Sequence, residues 1–533
     1  MSNKKKTQSI ENSEVEAVVQ NPAPVAAETD EQTVQERVQP AVERAEEASA
    51  EASAPAQSAE KAPEKETLGV RFKRWFNSKF RNKHYISRKE SRRISKENVR
   101  TMRQFEKAKK RRVDASAYRS TMRDDKNIME FDDLHTYFYT DAGVVKAVNG
   151  VSFDIPQGST VGVVGESGCG KSVTSLSVMQ LVQAPQGQIA GGSIRFKALD
   201  YKTDERGNYI PIWEYETDES GAFVLDENGD KKIKRRQKLD KKGQPMFDKE
   251  GEPIYEFVQK TGASGVLQFE MEEHVYDIAK MPIREMTKIR GRQISMIFQE
   301  PMTSLNPVLT IGNQLDEVSL LHLPGADKKI AKAKSLEMLD LVGIAMPERV
   351  YKSYPHELSG GMRQRVMIAM ALACNPRLII ADEPTTALDV TIQAQVLDLL
   401  RDIKQKIDGS IMLITHDLGI IAEMADFVVV MYAGRIVEMG LTEEIFDHPM
   451  HPYTIGLQKS KPAISGGTER LFNIPGNVPN PINMPEFCYF KERCSRVCPA
   501  CNGKFPDMVS VSPTHKVACY LYGKEAANGE EEK

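Results

Sequence analysis

A glycine-rich stretch at residues 165–172 has residue types and spacing suited to phosphate chemistry. Its pattern is Gly-x-x-x-x-Gly-Lys-Ser, with an apolar run before it and a helix-forming segment after it. Glycines let backbone N–H groups point at phosphate oxygens, and a helix N-terminus adds favourable partial charge. A glycine turn that merely precedes a lysine is the plain alternative, and the strand-to-helix context disfavours it. We therefore predict a phosphate-binding loop whose nucleotide contacts are Gly165, Ser167, Gly168, Cys169, Gly170, Lys171 and Ser172.

Two adjacent carboxylates supply the partner that such a loop needs. Residues 378–381 are apolar and predict a strand buried on both faces, and Asp382 and Glu383 follow at its carboxyl end. We expect Asp382 to hold Mg²⁺ through water, with Ser172 as a direct ligand, and Glu383 to polarise the attacking water. Such a pair can also be only a helix cap, but Lys171 independently calls for a metal nearby.

Five of the seven cysteines lie close together near the end of the chain. Thiolates at such spacing suit tetrahedral Zn²⁺ or an iron–sulfur cluster, and in a reducing compartment metal ligation is a better first interpretation than disulfides. Unligated thiols packed in a core are the alternative. The candidate ligands are Cys488, Cys494, Cys498, Cys501 and Cys519.

The elements that must position these residues alternate between strands and helices, which predicts a parallel α/β sheet. We place this folded domain at residues 128–445 and a C-terminal extension with the cysteines at 446–533. Residues 1–67 are rich in Ala, Glu, Gln, Pro and Ser, which predicts a disordered acidic leader. No apolar run approaches the roughly 18 residues of a membrane span, and the basic start lacks the apolar region of a signal peptide.

A basic arm at residues 68–127 joins the leader to the folded domain. From Arg71 to Arg123 the chain has about twenty Lys and Arg against about four acidic residues, and aromatic side chains recur there at near-helical spacing. A partly helical segment lying on an anionic membrane surface fits this pattern. RNA is a competing anion, and a solvated helical tail without a partner is the plain alternative.

An insertion at residues 198–279 interrupts the α/β pattern. It repeats Asp-x-x-Gly between short apolar segments, as at Asp226 and Gly229, which is the chemistry of type I turns and predicts a meander of β-hairpins. Ca²⁺ binding is the alternative, but the twelve-residue loop ending in Glu is absent from these repeats.

Taken together, the motifs resemble those of ABC ATPases and, more closely, those of the ATP-binding subunits of oligopeptide and dipeptide importers. Beyond the phosphate loop and Asp382-Glu383, the resemblance rests on Leu358-Ser359-Gly360-Gly361, on His416 and on residues 298–307, 451–454 and 475–479. It covers residues 128–522 apart from the insertion, and it implies an ABC-type α/β ATPase domain with a helical subdomain. Met362 departs from the commonest signature, which has glutamine there.

The resemblance also implies residue roles. Gln299 would connect the γ-phosphate and Mg²⁺ to a membrane subunit, and His416 would touch the γ-phosphate. Tyr139 is the candidate for stacking on adenine, with Tyr137 and Phe138 as competitors. The residues implied to contact ATP held by a partner subunit are Ser359, Gly361 and Asp389; those implied to hold a 4Fe–4S cluster, with Zn²⁺ as the alternative, are Cys488, Cys494, Cys501 and Cys519.

The implied activity is ATP hydrolysis that drives peptide import from the cytoplasmic face of a membrane, where the protein would be peripheral. The implied partners are a second ATPase subunit, two transmembrane permease subunits and an extracytoplasmic peptide-binding protein. An ABC ATPase that acts on nucleic acid or ribosomes is the alternative, and the basic arm favours it. The chain has one phosphate loop and no extended heptads, so we expect no specific nucleic-acid partner.

Overall fold

The computed structural model describes residues 88–111, 113–240, 243–262, 264–300, 304–386, 390–407, 409–460 and 473–522. The acidic leader, the aromatic part of the basic arm and Asp389 lie outside the described residues. In chain order the strands are β1 (Asn127–Thr140), β2 (Gly143–Val151), β3 (Asp154–Pro156), β4 (Thr160–Val164), β5 (Gly187–Tyr201), β6 (Arg235–Gln237), β7 (Tyr255–Phe257), β8 (Met271–Asp277), β9 (Ile294–Ile297), β10 (Leu378–Asp382), β11 (Ser410–Ile414), β12 (Phe427–Tyr432), β13 (Arg435–Leu441), β14 (Val509–Ser510) and β15 (Lys516–Val517). The helices are α1 (Arg88–Lys110), α2 (Lys171–Val178), α3 (Ile311–His322), α4 (Lys328–Leu341), α5 (Pro347–Lys352), α6 (Gly360–Leu372), α7 (Val390–Ile407), α8 (Leu418–Met424), α9 (Thr442–Asp447) and α10 (Pro452–Lys459).

An eight-stranded sheet positions the predicted site, in the order β14-β15-β13-β12-β4-β11-β10-β9. The five strands from β12 to β9 run parallel, and β10 is buried along its whole length. Its apolar residues alternate between the two faces, with Ile379 in one hydrophobic cluster and Leu378 and Ile380 in the other. The predicted parallel α/β sheet is confirmed, and the carboxyl ends of β4, β10 and β11 lie side by side.

Helices cover one face of this sheet, and an antiparallel sheet together with α2, whose Val178 lies in the same cluster, covers the other. On the first face α3, α4 and α6 contribute Leu315, Leu339 and Val366 to the cluster that contains Ile379. On the second face an antiparallel sheet of β1, β2, β3, β5 and β8 packs against the parallel strands. Because both faces are covered, the parallel strands can be almost entirely apolar, and polar residues are kept to their ends.

The insertion forms a series of hairpins beyond the ends of β5 and β8. These two strands pair as far as Tyr201 and Met271, so the first and last residues of the predicted insertion belong to the antiparallel sheet. The Asp226 turn shows the local chemistry: Gly229 N–H donates to the Asp226 carbonyl at 3.1 Å, and Gly229 has φ +85°. The Asp226 carboxylate accepts from the N–H groups of Asn228 and Asp230. Each turn is therefore closed by its own residues.

The C-terminal extension is joined to the central sheet. Strand β15 pairs with β13 at Glu438 and Val517, and β14 pairs with β15. The buried Glu438 carboxylate also accepts from the backbone of Met450 and His451 and contacts His515 Nε2 at 2.8 Å. The extension therefore shares a hydrogen-bond network with β13 of the central sheet.

Candidate nucleotide-binding and catalytic site

The predicted phosphate loop lies between β4 and α2, and its backbone requires glycine at two positions. Gly165 and Gly170 have φ +151° and +102°. A Cβ at Gly165 would collide with the Met431 carbonyl oxygen, and one at Gly170 would collide with that of Ala147. The loop is thus pressed against neighbouring backbone, which fixes the direction of its N–H groups.

Lys171 and Ser172 start α2 at the inner side of this loop. Lys171 is buried, and its Nζ donates to the carbonyl oxygens of Gly165 at 2.8 Å and Glu166 at 3.2 Å. The ammonium group therefore lies over the middle of the loop, where an anion bound by the N–H groups would meet it.

The Asp382 carboxylate meets the start of α2. Its Oδ1 accepts from the Ser172 hydroxyl at 3.0 Å, and its Oδ2 accepts from Ser175 at 3.2 Å. Burial raises the pKa of Asp382, although the two serine hydrogen bonds act in the opposite direction. A hydroxyl and a carboxylate are hard oxygen donors of the kind that Mg²⁺ prefers, so this pair fits the metal-holding role that the sequence predicts.

Two of the residues predicted to be catalytic, Gln299 and His416, lie against the carboxylate of the third, Glu383. Glu383 Oε2 accepts from Gln299 Nε2 at 2.8 Å, and Glu383 Oε1 lies 3.4 Å from His416 Nδ1. Thr386, which the sequence did not single out, also donates to Oε2 at 2.9 Å. Glu383 has φ +48°, which is uncommon for a residue with a side chain. Such backbone conformations are concentrated at functional sites in proteins.

The Leu-Ser-Gly-Gly stretch forms the start of α6. Leu358 is buried, whereas Ser359 and Gly360 are exposed and Ser359 caps the helix by accepting from Met362 N–H. Gly361 follows in the first turn. The Met362 side chain packs against the hydrophobic cluster on the face of the sheet that the helices cover. Packing at this position therefore does not require the amide of a glutamine. An exposed helix N-terminus with small residues suits contact with an anion held by another subunit.

Tyr139 does not fit the adenine-stacking role in this structure. Tyr139 is 9% exposed, and its ring lies 6.1 Å from the ring of Phe105 in α1, centroid to centroid. A stacking ring must be open to the nucleotide, and this one is covered by the described part of the basic arm. Tyr137 and Phe138 are half-buried.

Two residues of the C-terminal extension contact the phosphate loop, which sequence reasoning missed. The hydroxyl of the buried Tyr453 accepts from Glu166 N–H at 2.8 Å. The Arg493 guanidinium binds both carboxylate oxygens of Glu166, at 2.8 and 3.0 Å. A carboxylate inside an anion-binding loop calls for a counter-charge, and the sequence shows that need without showing which residue meets it.

The five clustered cysteines lie close to that contact. Cys488, Cys501 and Cys519 are buried, Cys494 and Cys498 are half-buried, and the Sγ atoms of Cys498 and Cys501 are 3.4 Å apart. Burial raises the pKa of Cys488 to about 12 and that of Cys519 to about 11, and the neighbouring thiols add to both shifts.

The described residues show no complete set of metal ligands at these thiols. In the part of the chain that the structure describes, no three His, Cys, Asp or Glu side chains come together as metal ligands. The donor types suit iron or zinc, but their arrangement here gives the iron–sulfur expectation no support.

Comparisons with known proteins show the family of this chain. The family model described as "ABC transporter" matches residues 148–251 and 252–386, and "Oligopeptide/dipeptide transporter, C-terminal region" matches 437–501. The chain is 42% identical over 400 residues to the oligopeptide transport ATP-binding protein AppD of Bacillus subtilis, covering 75% of this chain and 98% of that protein. It is 39% identical over 399 residues to the dipeptide transport ATP-binding protein DppD of the same organism, covering 75% and 96%.

A solved structure of a dimeric ATP-binding cassette bound to ADP and Pi is more distantly similar. It is 20% identical, with a TM-score of 0.40, and the match covers 59% of this chain and 98% of that one. The family assignment rests on the sequence matches. No helix among the described residues is both long and apolar enough to cross a membrane.

Proposed function

Since this chain belongs to the family of ATP-binding proteins of oligopeptide and dipeptide ABC transporters, we propose that it is the ATP-hydrolysing subunit that drives a peptide importer. The observation that carries the proposal is the convergence of Gln299 and His416 on Glu383, beside the Ser172–Asp382 pair. Phosphoryl transfer needs mainly positioning and charge stabilisation, and these residues supply both.

Each residue has a role in this proposal. The loop N–H groups and Lys171 bind the phosphates, and Ser172 and Asp382 hold Mg²⁺, which supplies charge neutralisation when bound. Glu383 orients and polarises the attacking water, and Gln299 and Thr386 keep its carboxylate in place. His416, with its side chain 57% exposed, is free to contact the γ-phosphate.

The exposed start of α6 supports dimerisation with a second ATPase subunit, in a heterodimer. Ser359 and Gly361, with Asp389, would contact ATP bound by that subunit. Closure of the dimer on ATP and its reopening after hydrolysis would drive two transmembrane permease subunits, with peptide delivered by an extracytoplasmic binding protein. The chain would then be peripheral at the cytoplasmic face of the membrane.

Co-purification and uptake test the whole proposal. The full chain is expected to copurify from membranes with two permease subunits and a second ATPase, and cells that lack it should lose uptake of a labelled peptide. Uptake should return with the wild-type chain and not with Glu383→Gln. Copurification with ribosomes instead of permeases, with uptake unaffected, would refute the proposal.

The cysteine segment is also proposed to bind a metal, as a 4Fe–4S cluster or as Zn²⁺. Support comes from the distance between two of these thiols, since the Sγ atoms of Cys498 and Cys501 are 3.4 Å apart. If the segment holds a cluster, anaerobically purified protein should contain about four irons per chain and show thiolate-to-iron absorbance. If it holds zinc, the protein should contain about one zinc per chain and lack that absorbance. Protein with neither metal would leave a thiol-packed segment and refute this part.

The basic arm is proposed to bind an anionic membrane surface. The described part of the arm, helix α1, exposes many basic side chains. Its other face contacts the end of β1, where Asn98 Nδ2 donates to the Thr140 carbonyl at 2.7 Å. The exposed basic residues are Arg88, Lys89, Arg92, Arg93, Lys96, Arg100, Arg103, Lys107 and Lys110. The full chain should sediment with vesicles containing anionic lipid and not with neutral ones, and salt should weaken binding. Retention of RNA without vesicle binding would contradict this.

A further inference from the structure

We infer that Arg493, in the C-terminal extension, is a positioning residue for the ATP site: it neutralises Glu166 so that the phosphate loop can accept an anion. The inference rests on the proposed nucleotide site. No motif of that site includes Arg493, which lies 327 residues from Glu166 in the sequence.

The charge of Glu166 is the reason that such a residue is needed. Glu166 follows Gly165 within a loop whose N–H groups are arranged for phosphate, and an unpaired carboxylate there would repel the ligand. The bidentate contact from Arg493 pairs that charge and fixes the direction of the carboxylate. The Arg493 side chain is 6% exposed, so water weakens the pair far less than it would a surface pair.

The position of Arg493 is itself fixed from several sides. Its Nε donates to the Pro475 carbonyl at 3.0 Å, and its Nη1 donates to the Tyr432 hydroxyl at 3.3 Å. Tyr432 ends β12, which pairs with β4, the strand that leads into the phosphate loop. The guanidinium therefore connects the central sheet, the extension and the loop at one point.

Two cysteines bound the turn that carries Arg493. Lys491 N–H donates to the Cys488 carbonyl at 3.1 Å, Arg493 N–H to that of Phe490 at 2.9 Å, and Cys494 follows directly. The turn that carries Arg493 is therefore short and is closed by its own backbone hydrogen bonds.

The test compares the affinity of the full chain for a fluorescent ATP analogue with and without the two charges. Arg493→Ala is expected to weaken binding by about tenfold, within the usual range of coupling between sites. Glu166→Gln keeps the size of the side chain and removes its charge, so it should change affinity by about twofold or less. The double variant should regain most of the loss. Arg496→Ala removes a nearby exposed arginine and is the matched control.

The double variant also separates positioning from folding. A loss of affinity caused by the unpaired Glu166 charge should be recovered in the double variant, whereas a loss caused by misfolding of Arg493→Ala should persist there. If Arg493→Ala does not fold, Arg493→Gln carries the same comparison, because it keeps donors without the charge.

The outcomes distinguish this inference from the proposed function. Wild-type chain that binds no ATP analogue refutes the proposed function. If the wild type binds the analogue and Arg493→Ala binds it with the same affinity, only the role of Arg493 is refuted. The same holds if the double variant binds as weakly as Arg493→Ala.

Discussion

The catalytic site and the hairpin insertion of residues 202–270 are assembled in opposite ways. In the site, Ser172 donates to Asp382 across 210 residues of sequence, and Gln299 donates to Glu383 across 84. In the insertion, the Asp226 carboxylate accepts from Asp230, four residues away. One region depends on the packing of a buried sheet and the other on turns that close themselves.

The two regions also differ in what they bury. Strand β10 is wholly buried, whereas Phe223, Phe247 and Tyr255 of the insertion are each at least half exposed. Small changes of shape near the site should therefore spread through packed neighbours, while changes in the insertion should stay local. Three substitutions and one replacement of the insertion, taken from the largest expected effect to the smallest, test that difference.

Glu383→Gln should lower ATP turnover by about a hundredfold or more, the usual contribution of a positioned base, and leave ATP binding intact. The amide keeps the size of the side chain but lacks the charge that polarises water. Steady-state phosphate release and nucleotide binding are measured on the assembled transporter. Thr386→Ala, which removes only a hydrogen bond to that carboxylate, should cost less. Turnover near wild type, after allowance for the partner site, would contradict the role of Glu383.

Gly170→Ala should weaken nucleotide binding by about tenfold or more, because φ +102° is unfavourable for alanine and the methyl group meets the Ala147 carbonyl. Gly168→Ala is the matched control within the loop: φ is +79°, but a Cβ there has open space around it. Gly229→Ala in the insertion has the same features at φ +85° and should leave binding unchanged. Equal losses in the two loop variants would show that the close approach to Ala147 does not matter.

The sequence predicted those parts of the molecule in which a local pattern determines the structure. The phosphate loop, the strand ending in Asp382-Glu383 and the Asp-x-x-Gly turns each have a period or spacing with a physical meaning. Contacts between distant segments were not predictable in this way. Arg493 reaches Glu166, and α1 covers Tyr139, only because the sheet brings separate parts of the chain together. The extension of β5 and β8 to Tyr201 and Met271 likewise depends on pairing between strands 70 residues apart.

His451→Asn should reduce the fall in the free energy of unfolding that occurs as the pH is lowered. His451 is fully buried and caps α10, the helix that carries Tyr453, and burial lowers its pKa to about 3. This pKa lies below the value near 6.5 in the unfolded chain, so the stability is present above pH 6.5 and is lost as pH falls towards 3. Between pH 6.5 and 5.5 the loss from this group is about 1 kcal/mol.

Asparagine keeps the helix cap without titrating in this range. Urea unfolding at the two pH values measures the difference, and His356→Asn, at an exposed position, is the control. An unchanged pH dependence in His451→Asn would show that other groups account for the acid sensitivity.

Replacing residues 202–270 by a two-residue Asn-Gly turn should have the smallest effect on the ATP site. Tyr201 and Met271 are paired across β5 and β8, so the short turn closes a hairpin that already exists. The replacement also removes the hydrogen bond that Ser264 donates to Glu337 in α4, a helix that is far along the chain from any predicted catalytic residue. We expect nucleotide affinity and turnover within about twofold of the full chain, as for distant and independent sites. The matched variant Glu337→Ala removes that hydrogen bond and leaves the insertion in place. A larger loss in the replacement than in Glu337→Ala would mean that the self-closed hairpins and the packed site are coupled, and that the contrast between them is wrong.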